Sequence, residues 1–118
     1  MTYTLYHYPR CSTCVKAKKW LDANGVSYTT INLAEAPPSA AKLREIHEAS
    51  GQALKKLFNT SGQSYRNGGF KDRLPQMSDD DQFSALAADG MLVKRPLLLT
   101  KSKSLIGFKV AEWENAVK

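Results

Sequence analysis

Cysteine and histidine are scarce in this chain, with two of each among 118 residues. A disulfide-stapled scaffold draws on several cysteines spread along the sequence, so that class is excluded and a reducing compartment is expected. Zinc would need two ligands beyond the cysteine pair, and only His7 and His47 offer nitrogen donors. Neither a metal nor another cofactor is therefore expected. Long apolar runs are missing too. No stretch approaches the roughly 18 apolar residues that span a membrane, and no basic region followed by a long apolar run opens the chain. A soluble, cytoplasmic protein without a membrane partner is expected. The 17 Lys and Arg against 11 Asp and Glu give a formal charge of +6, but the lysines are scattered, without a basic tract interleaved with aromatics. That pattern describes a solvated basic surface, and direct nucleic-acid binding is not expected. The length suits one domain over residues 1–118 with a real core.

Against this background the placement of the two cysteines is informative. Cys11-Ser12-Thr13-Cys14 follows a short β-like run, Thr2 to Tyr8, and opens a helical pattern ending at Asn24-Gly25. At such a strand-to-helix junction Cys11 lies near free backbone N–H groups and the positive end of the helix dipole, which favour a thiolate. Cys14 is then within disulfide reach. The alternative, two inert small hydrophobes at a helix start, is disfavoured by the motif and its position. A phosphate-loop reading fails because position 18 is lysine, where an arginine would be needed, and Cys14 interrupts the loop.

Periodicity supplies the frame. Tyr3, Leu5 and His7 alternate with Thr4, Tyr6 and Tyr8 until Pro9 ends a first strand. Cys14, Ala17 and Leu21 recur at helical spacing up to Gly25. Val26, Tyr28 and Ile31 with Thr29 and Thr30 form a second β-prone run, and Pro37-Pro38-Ser39 breaks the chain and caps a helix with Leu43 and Ile46. Leu54, Leu57 and Phe58 continue a helical stripe, and Asn59 to Gly62 and Asn67-Gly68-Gly69 read as loops, with Tyr65, Arg66 and Lys71 in a loop-rich middle. Ser78 with Asp81 matches a capping box and opens a helix that carries Phe83, Leu86 and Ala87 inward and stops by Gly90. Leu97 to Leu99 and Ser104 to Phe108 read as two strands, and Ala111 to Val117 as a last helix with Trp113, Ala116 and Val117 on one face. The order is β-α-β-α, a helical insertion at about 39–90, then β-β-α. An α/β thioredoxin-like domain with a four-stranded mixed sheet has this order. There Arg95-Pro96 precedes the third strand opposite the Cys11 loop, and a cis Pro96 is expected from that fold. Trp20 and Trp113 read as core residues, and so does His7, beside the alternative of influencing the cysteines.

Together, Tyr8-Pro9-Arg10-Cys11-Ser12-Thr13-Cys14 with Lys16-Ala17-Lys18, Pro37-Pro38-Ser39, Phe58-Asn59-Thr60-Ser61-Gly62, Arg95-Pro96-Leu97 and Ile106-Gly107-Phe108 resemble the arsenate reductase-like ArsC family. The likeness is greater to its Spx/MgsR-type branch and spans almost the whole chain. It implies catalytic Cys11, Cys14 and Arg95, with Pro96, Ser12 and Thr13 shaping the thiolate environment. Arg95 would either pair with an acidic residue at the surface or face the Cys11 thiolate and lower its pKa; the second is preferred. The pattern departs from arsenate reductases, which have a single catalytic cysteine and three arginines around the oxyanion. Here Arg95 occupies one arginine position, Asn59 fills another, and the third falls around Phe108 or Lys109. Neither Asn nor Lys reproduces the bidentate grip of a guanidinium.

The leading expectation is a monomeric thiol-disulfide oxidoreductase, with Cys11 as nucleophile, Cys14 as resolving cysteine, and thioredoxin or a low-molecular-weight thiol as partner. The resemblance also implies two alternatives. One is an arsenate reductase linked to glutaredoxin or thioredoxin. The other is an Spx-like redox-sensing regulator acting through the α subunit of RNA polymerase, disfavoured because no basic extension follows Lys118.

Overall fold

Side chains alternate across a β-strand, and here the alternation divides the core into two layers. In the computed structural model, which describes residues 3–117, β1 is Tyr3–His7. Leu5 enters one apolar cluster with Ala17, Leu21, Leu98, Leu105 and Trp113, while Tyr6 enters the other with Leu43, Ile46, Phe58 and Leu97. Leu97 and Leu98, neighbours in β3 (Leu97–Leu99), divide the same way. β2 (Tyr28–Asn32) and β4 (Ser104–Ile106) complete a four-stranded sheet of order β2-β1-β3-β4. β1 pairs parallel with β2 and antiparallel with β3, and β3 pairs antiparallel with β4. This is the mixed sheet expected of a thioredoxin-like α/β fold.

Two helices cover the Leu5 face. α1 (Ser12–Ala23) buries Cys14, Ala17 and Leu21, one residue per turn, and α6 (Val110–Val117) buries Trp113. Trp20 is only partly buried and meets Trp113 and Phe108 edge to face. Trp113 also mends a gap in the sheet. Pro96 has no N–H to give the Gly107 carbonyl across from it, and the buried Trp113 indole N–H donates to that carbonyl instead, at 3.0 Å.

The Tyr6 face carries the insertion. α2 (Ala40–Ser50) starts where Ser39 Oγ accepts from the Lys42 N–H, and α5 (Asp79–Ala88) where Ser78 Oγ accepts from the Asp81 N–H. Between them the chain departs from its sequence pattern. The stripe Leu54, Leu57, Phe58 forms only a 3-10 turn, Leu54–Leu57, after which Phe58 extends into a bridge with Val93. The predicted loops contain two short helices, α3 (Gln63–Asn67) and α4 (Phe70–Arg73), which turn Tyr65 and Phe70 against Phe58. The tertiary aromatic contact wins over local turn signals there. Strand and helix ends elsewhere shift by one or two residues: the second strand begins at Tyr28 instead of Val26, and the fourth stops at Ile106 instead of Phe108. Thr2, predicted in the first strand, lies outside the described residues. Among the described residues no helix is long and apolar enough to cross a membrane.

Candidate active site

The parallel β1–α1–β2 crossover brings the chain out of β1 at His7 and into α1 at Ser12, leaving Cys11 as the N-cap residue. Its Sγ accepts from the Cys14 N–H at 3.4 Å, the bond a serine or aspartate would accept at a conventional cap. The first turn of α1 holds no acidic side chain, so nothing local offsets the positive end of its dipole.

The two thiols are displaced in opposite directions. Burial raises the Cys11 pKa, but hydrogen bonds from the Cys14 thiol and backbone, the charge of Arg95 and the Thr13 N–H outweigh it, and the net value falls below the ordinary 9.0. Cys14, 1% exposed, is pushed up to about 12, chiefly by burial and against a backbone bond from Tyr8. Cys11 is half-buried and Cys14 buried, and both are free thiols. The more accessible thiol is thus the acidic one, and the buried neighbour holds its proton and lends it as a hydrogen bond.

The sequence-derived site residues come to one end of the sheet. Tyr6 pairs with Leu97, so Pro96 lies level with the end of β1 from which the Cys11 loop departs. The Arg95–Pro96 peptide is cis, and Pro96 is buried. Arg95 is half-buried. Its guanidinium stands 5.4 Å over the Tyr8 ring and donates to the Met91 carbonyl at 3.3 Å, while its Nε is buried without a partner. Ser12 and Thr13 are exposed on the first turn of α1. Tyr8, the platform under Arg95, was missed by sequence reasoning; its place directly after β1 was the available signal.

The residues at the other two positions where the resemblance would place arginines are otherwise engaged. Asn59 accepts from Ser61 Oγ within its own loop. Phe108 is packed against Trp20 and Trp113, and Lys109 pairs with Glu112 at 3.6 Å. His7 is 8% exposed with its Nδ1 unpartnered, and burial, then the charge of Lys18, lowers its pKa. Among the described residues no group of His, Cys, Asp and Glu could hold a metal. Beside the dithiol a groove of about 920 Å³ opens, with Thr13 and Arg95 in its lining.

A mixed sheet in this strand order, with a dithiol heading the first helix and a cis-proline entering the third strand, defines the thioredoxin-like class. The sequence matches the model of the ArsC family over residues 6–116, and the chain belongs to that family. It is 49% identical to the uncharacterized protein YusI of Bacillus subtilis, covering 97% of each chain. It is 26% identical to the regulatory protein MgsR of the same organism, over 92% of this chain and 85% of that one. Against an arsenate reductase of Rhizobium meliloti it is 27% identical, over 84% and 69%. Among solved structures, a candidate ArsC family related protein from Bacteroides fragilis superposes with a TM-score of 0.95 at 42% identity, covering 98% of both chains. A possible arsenate reductase from Streptococcus mutans gives 0.88 at 48% identity, covering 96% of both. The relatives thus comprise both regulators, MgsR and Spx, and an arsenate reductase.

Proposed function

We propose that this protein is a thiol-disulfide oxidoreductase in which Cys11 is the nucleophile and Cys14 the resolving cysteine. The observation that carries the reading is the opposite displacement of two thiols joined at one helix start: an accessible, acidic Cys11 and a buried Cys14 held up at about 12. The Cys11 thiolate attacks one sulfur of a substrate disulfide. A bond forms to Cys11, the substrate S–S bond breaks, and the departing thiolate takes a proton from solvent. Cys14, having lost the thiolate to which it donated, attacks Cys11 Sγ; the bond from Cys11 to the substrate breaks, and the Cys14 proton passes to the departing sulfur, which leaves as the second substrate thiol. Two electrons pass to the substrate and the Cys11–Cys14 disulfide remains, to be reduced by an external dithiol or low-molecular-weight thiol. Arg95 favours the thiolate at rest by its charge and is a positioning residue in this scheme.

Arsenate reduction is the weaker reading, because Arg95 alone of the three arginine positions is filled and Phe108 is held in an aromatic cluster. A turnover assay comparing arsenate with a protein disulfide, each with thioredoxin or a low-molecular-weight thiol as donor, tests the assignment. Disulfide turnover well above arsenate turnover is expected; the reverse order would overturn it. The likeness to MgsR favours a second reading, a redox-switched regulator acting through RNA polymerase. Capture of the C-terminal domain of the polymerase α chain in only one redox state would favour that reading, and absence of binding in both states would remove it.

A further inference from the structure

β4 is the last strand of the sheet, and only one of its edges is paired. The Gly107 N–H donates to the Pro96 carbonyl at 2.9 Å and the Thr100 N–H to the Lys103 carbonyl at 2.9 Å. By the two-residue period, Lys103, Leu105 and Gly107 turn their backbone groups toward β3, and Ser104 and Ile106 turn theirs outward. Outside the sheet, no backbone group of the described residues pairs with either; Ile106 is half-buried, and Ser104, beside α2, is 7% exposed. An edge of this kind is a template for another extended chain unless something guards it.

The groove of about 920 Å³ runs along this edge, with Ser104 to Gly107 in its floor. The end of α2 and the turn after it form one bank and Phe108 and α6 the other; Thr13, next to Cys14 in the chain, and Arg95 also line it, while the two cysteines do not. Its cations are Lys55, Lys56, Lys94, Arg95, Lys103 and Lys109, set against Glu48 and Glu112. Glu112 is already paired with Lys109. The half-buried Phe108 and Ile106 line it as well. At the dithiol end, the buried Arg95 Nε is a donor with nothing to bond. A backbone edge rewards a polypeptide and offers nothing to the ribose or bases of a nucleic acid. The excess of cations selects carboxylates.

We propose that this groove holds an extended, acidic segment of the protein whose disulfide Cys11 attacks, the segment adding to the outer edge of β4 with its carboxylates on Lys94 and Lys103. The inference rests on the oxidoreductase reading and names the substrate class that reading leaves open. Its chemistry is the exchange described above, with the partner's disulfide reduced to two thiols as Cys11 and Cys14 are oxidised.

Two dodecapeptides test it, one alternating Glu and Val, the other Lys and Val, each ending in a cysteine disulfide-bonded to thionitrobenzoate. N-acetylcysteinamide carrying the same leaving group serves as the small substrate. Release of thionitrobenzoate in a single turnover gives the second-order rate constant. The acidic peptide should react about tenfold faster than the basic one at low ionic strength, with the ratio shrinking as salt screens the groove. Lys94→Glu with Lys103→Glu should abolish the preference while leaving the small disulfide unchanged, and the milder Lys94→Gln with Lys103→Gln should halve it or more. N-methylating alternate residues of the acidic peptide should remove its advantage, because the strand edge then loses its partners. Equal rates for the two peptides overturn the proposal. So does a preference that survives both charge reversal and N-methylation, or a labelled RNA that binds the groove with the same lysine dependence while the peptides do not differ. Failure of the wild-type protein to attack even the small disulfide would instead sink the oxidoreductase reading itself.

Discussion

Removing the Cys14 thiol while keeping the helix intact isolates its effect on Cys11. In the reduced protein the Cys14 S–H is the foremost group lowering the Cys11 pKa, with the Cys14 N–H next and Arg95 after it. A hydrogen bond to a charged group contributes about 1.5–3 kcal/mol, and each 1.4 kcal/mol is a factor of ten in an equilibrium. Cys11 is only half-buried, so water replaces part of the lost bond and the lower end of that range applies. Cys14→Ala should therefore slow iodoacetamide alkylation of Cys11 about tenfold at neutral pH and move the rate-against-pH curve to higher pH. Cys14→Ser restores an O–H donor at the same position and should recover most of the difference. The variants differ by one oxygen atom at a buried site, and circular dichroism will report whether both keep the fold. If the alanine and wild-type profiles coincide, the Cys14 thiol does not stabilise the thiolate, and the asymmetry of the pair has another origin.

Other positions give independent checks. Arg95→Ala should slow disulfide attack at neutral pH by up to about tenfold, the loss of one nearby positive charge. Arg95→Lys should rescue most of that rate while leaving any arsenate reduction strongly impaired, since lysine supplies charge without the bidentate fork. Folded Cys14 holds its proton to about 12 whereas the unfolded thiol releases it near 9.0. The unfolded state then binds fewer protons, so stability should fall between those pH values by at most about 1.4 kcal/mol per pH unit from this group. Tyr28, raised to about 12 by burial and Asp22, adds to the fall above pH 10; urea titrations of Cys14→Ala, with Tyr28 intact, should therefore show a shallower alkaline loss than wild type. Gly90→Ala would place a Cβ 1.7 Å from the Leu33 carbonyl oxygen, forcing a backbone shift that should cost about 3 kcal/mol in urea unfolding.

The ends of the fold were legible because each short element there carries its own period. Leu97 and Leu98 alternate, Cys14, Ala17 and Leu21 recur once per turn, and Ser39 and Ser78 signal helix starts that the structure contains. The middle was not legible. α3 and α4 are four or five residues long, too short for a periodic signal, and they are held by the packing of Tyr65 and Phe70 on Phe58. Leu54, Leu57 and Phe58 had helical spacing, yet Phe58 is drawn into a bridge with Val93, a long-range partner that no local pattern announces. At the candidate site the strand-to-helix placement of Cys11 was readable. The Tyr8 ring under Arg95 and the groove along β4 were not, because they join segments separated by tens of residues.

The central claim, that Cys11 attacks and Cys14 resolves, is tested most directly by acid-quenching the reaction of the reduced protein with a disulfide substrate and mapping the cysteine peptide by mass spectrometry. The wild-type protein should pass through a substrate adduct on Cys11 to a monomeric product with a Cys11–Cys14 disulfide, because a neighbour at this spacing outcompetes a thiol on another chain. Cys14→Ser should stop at the Cys11 adduct. An adduct found first on Cys14, or a disulfide-linked dimer as the main wild-type product, would contradict the account.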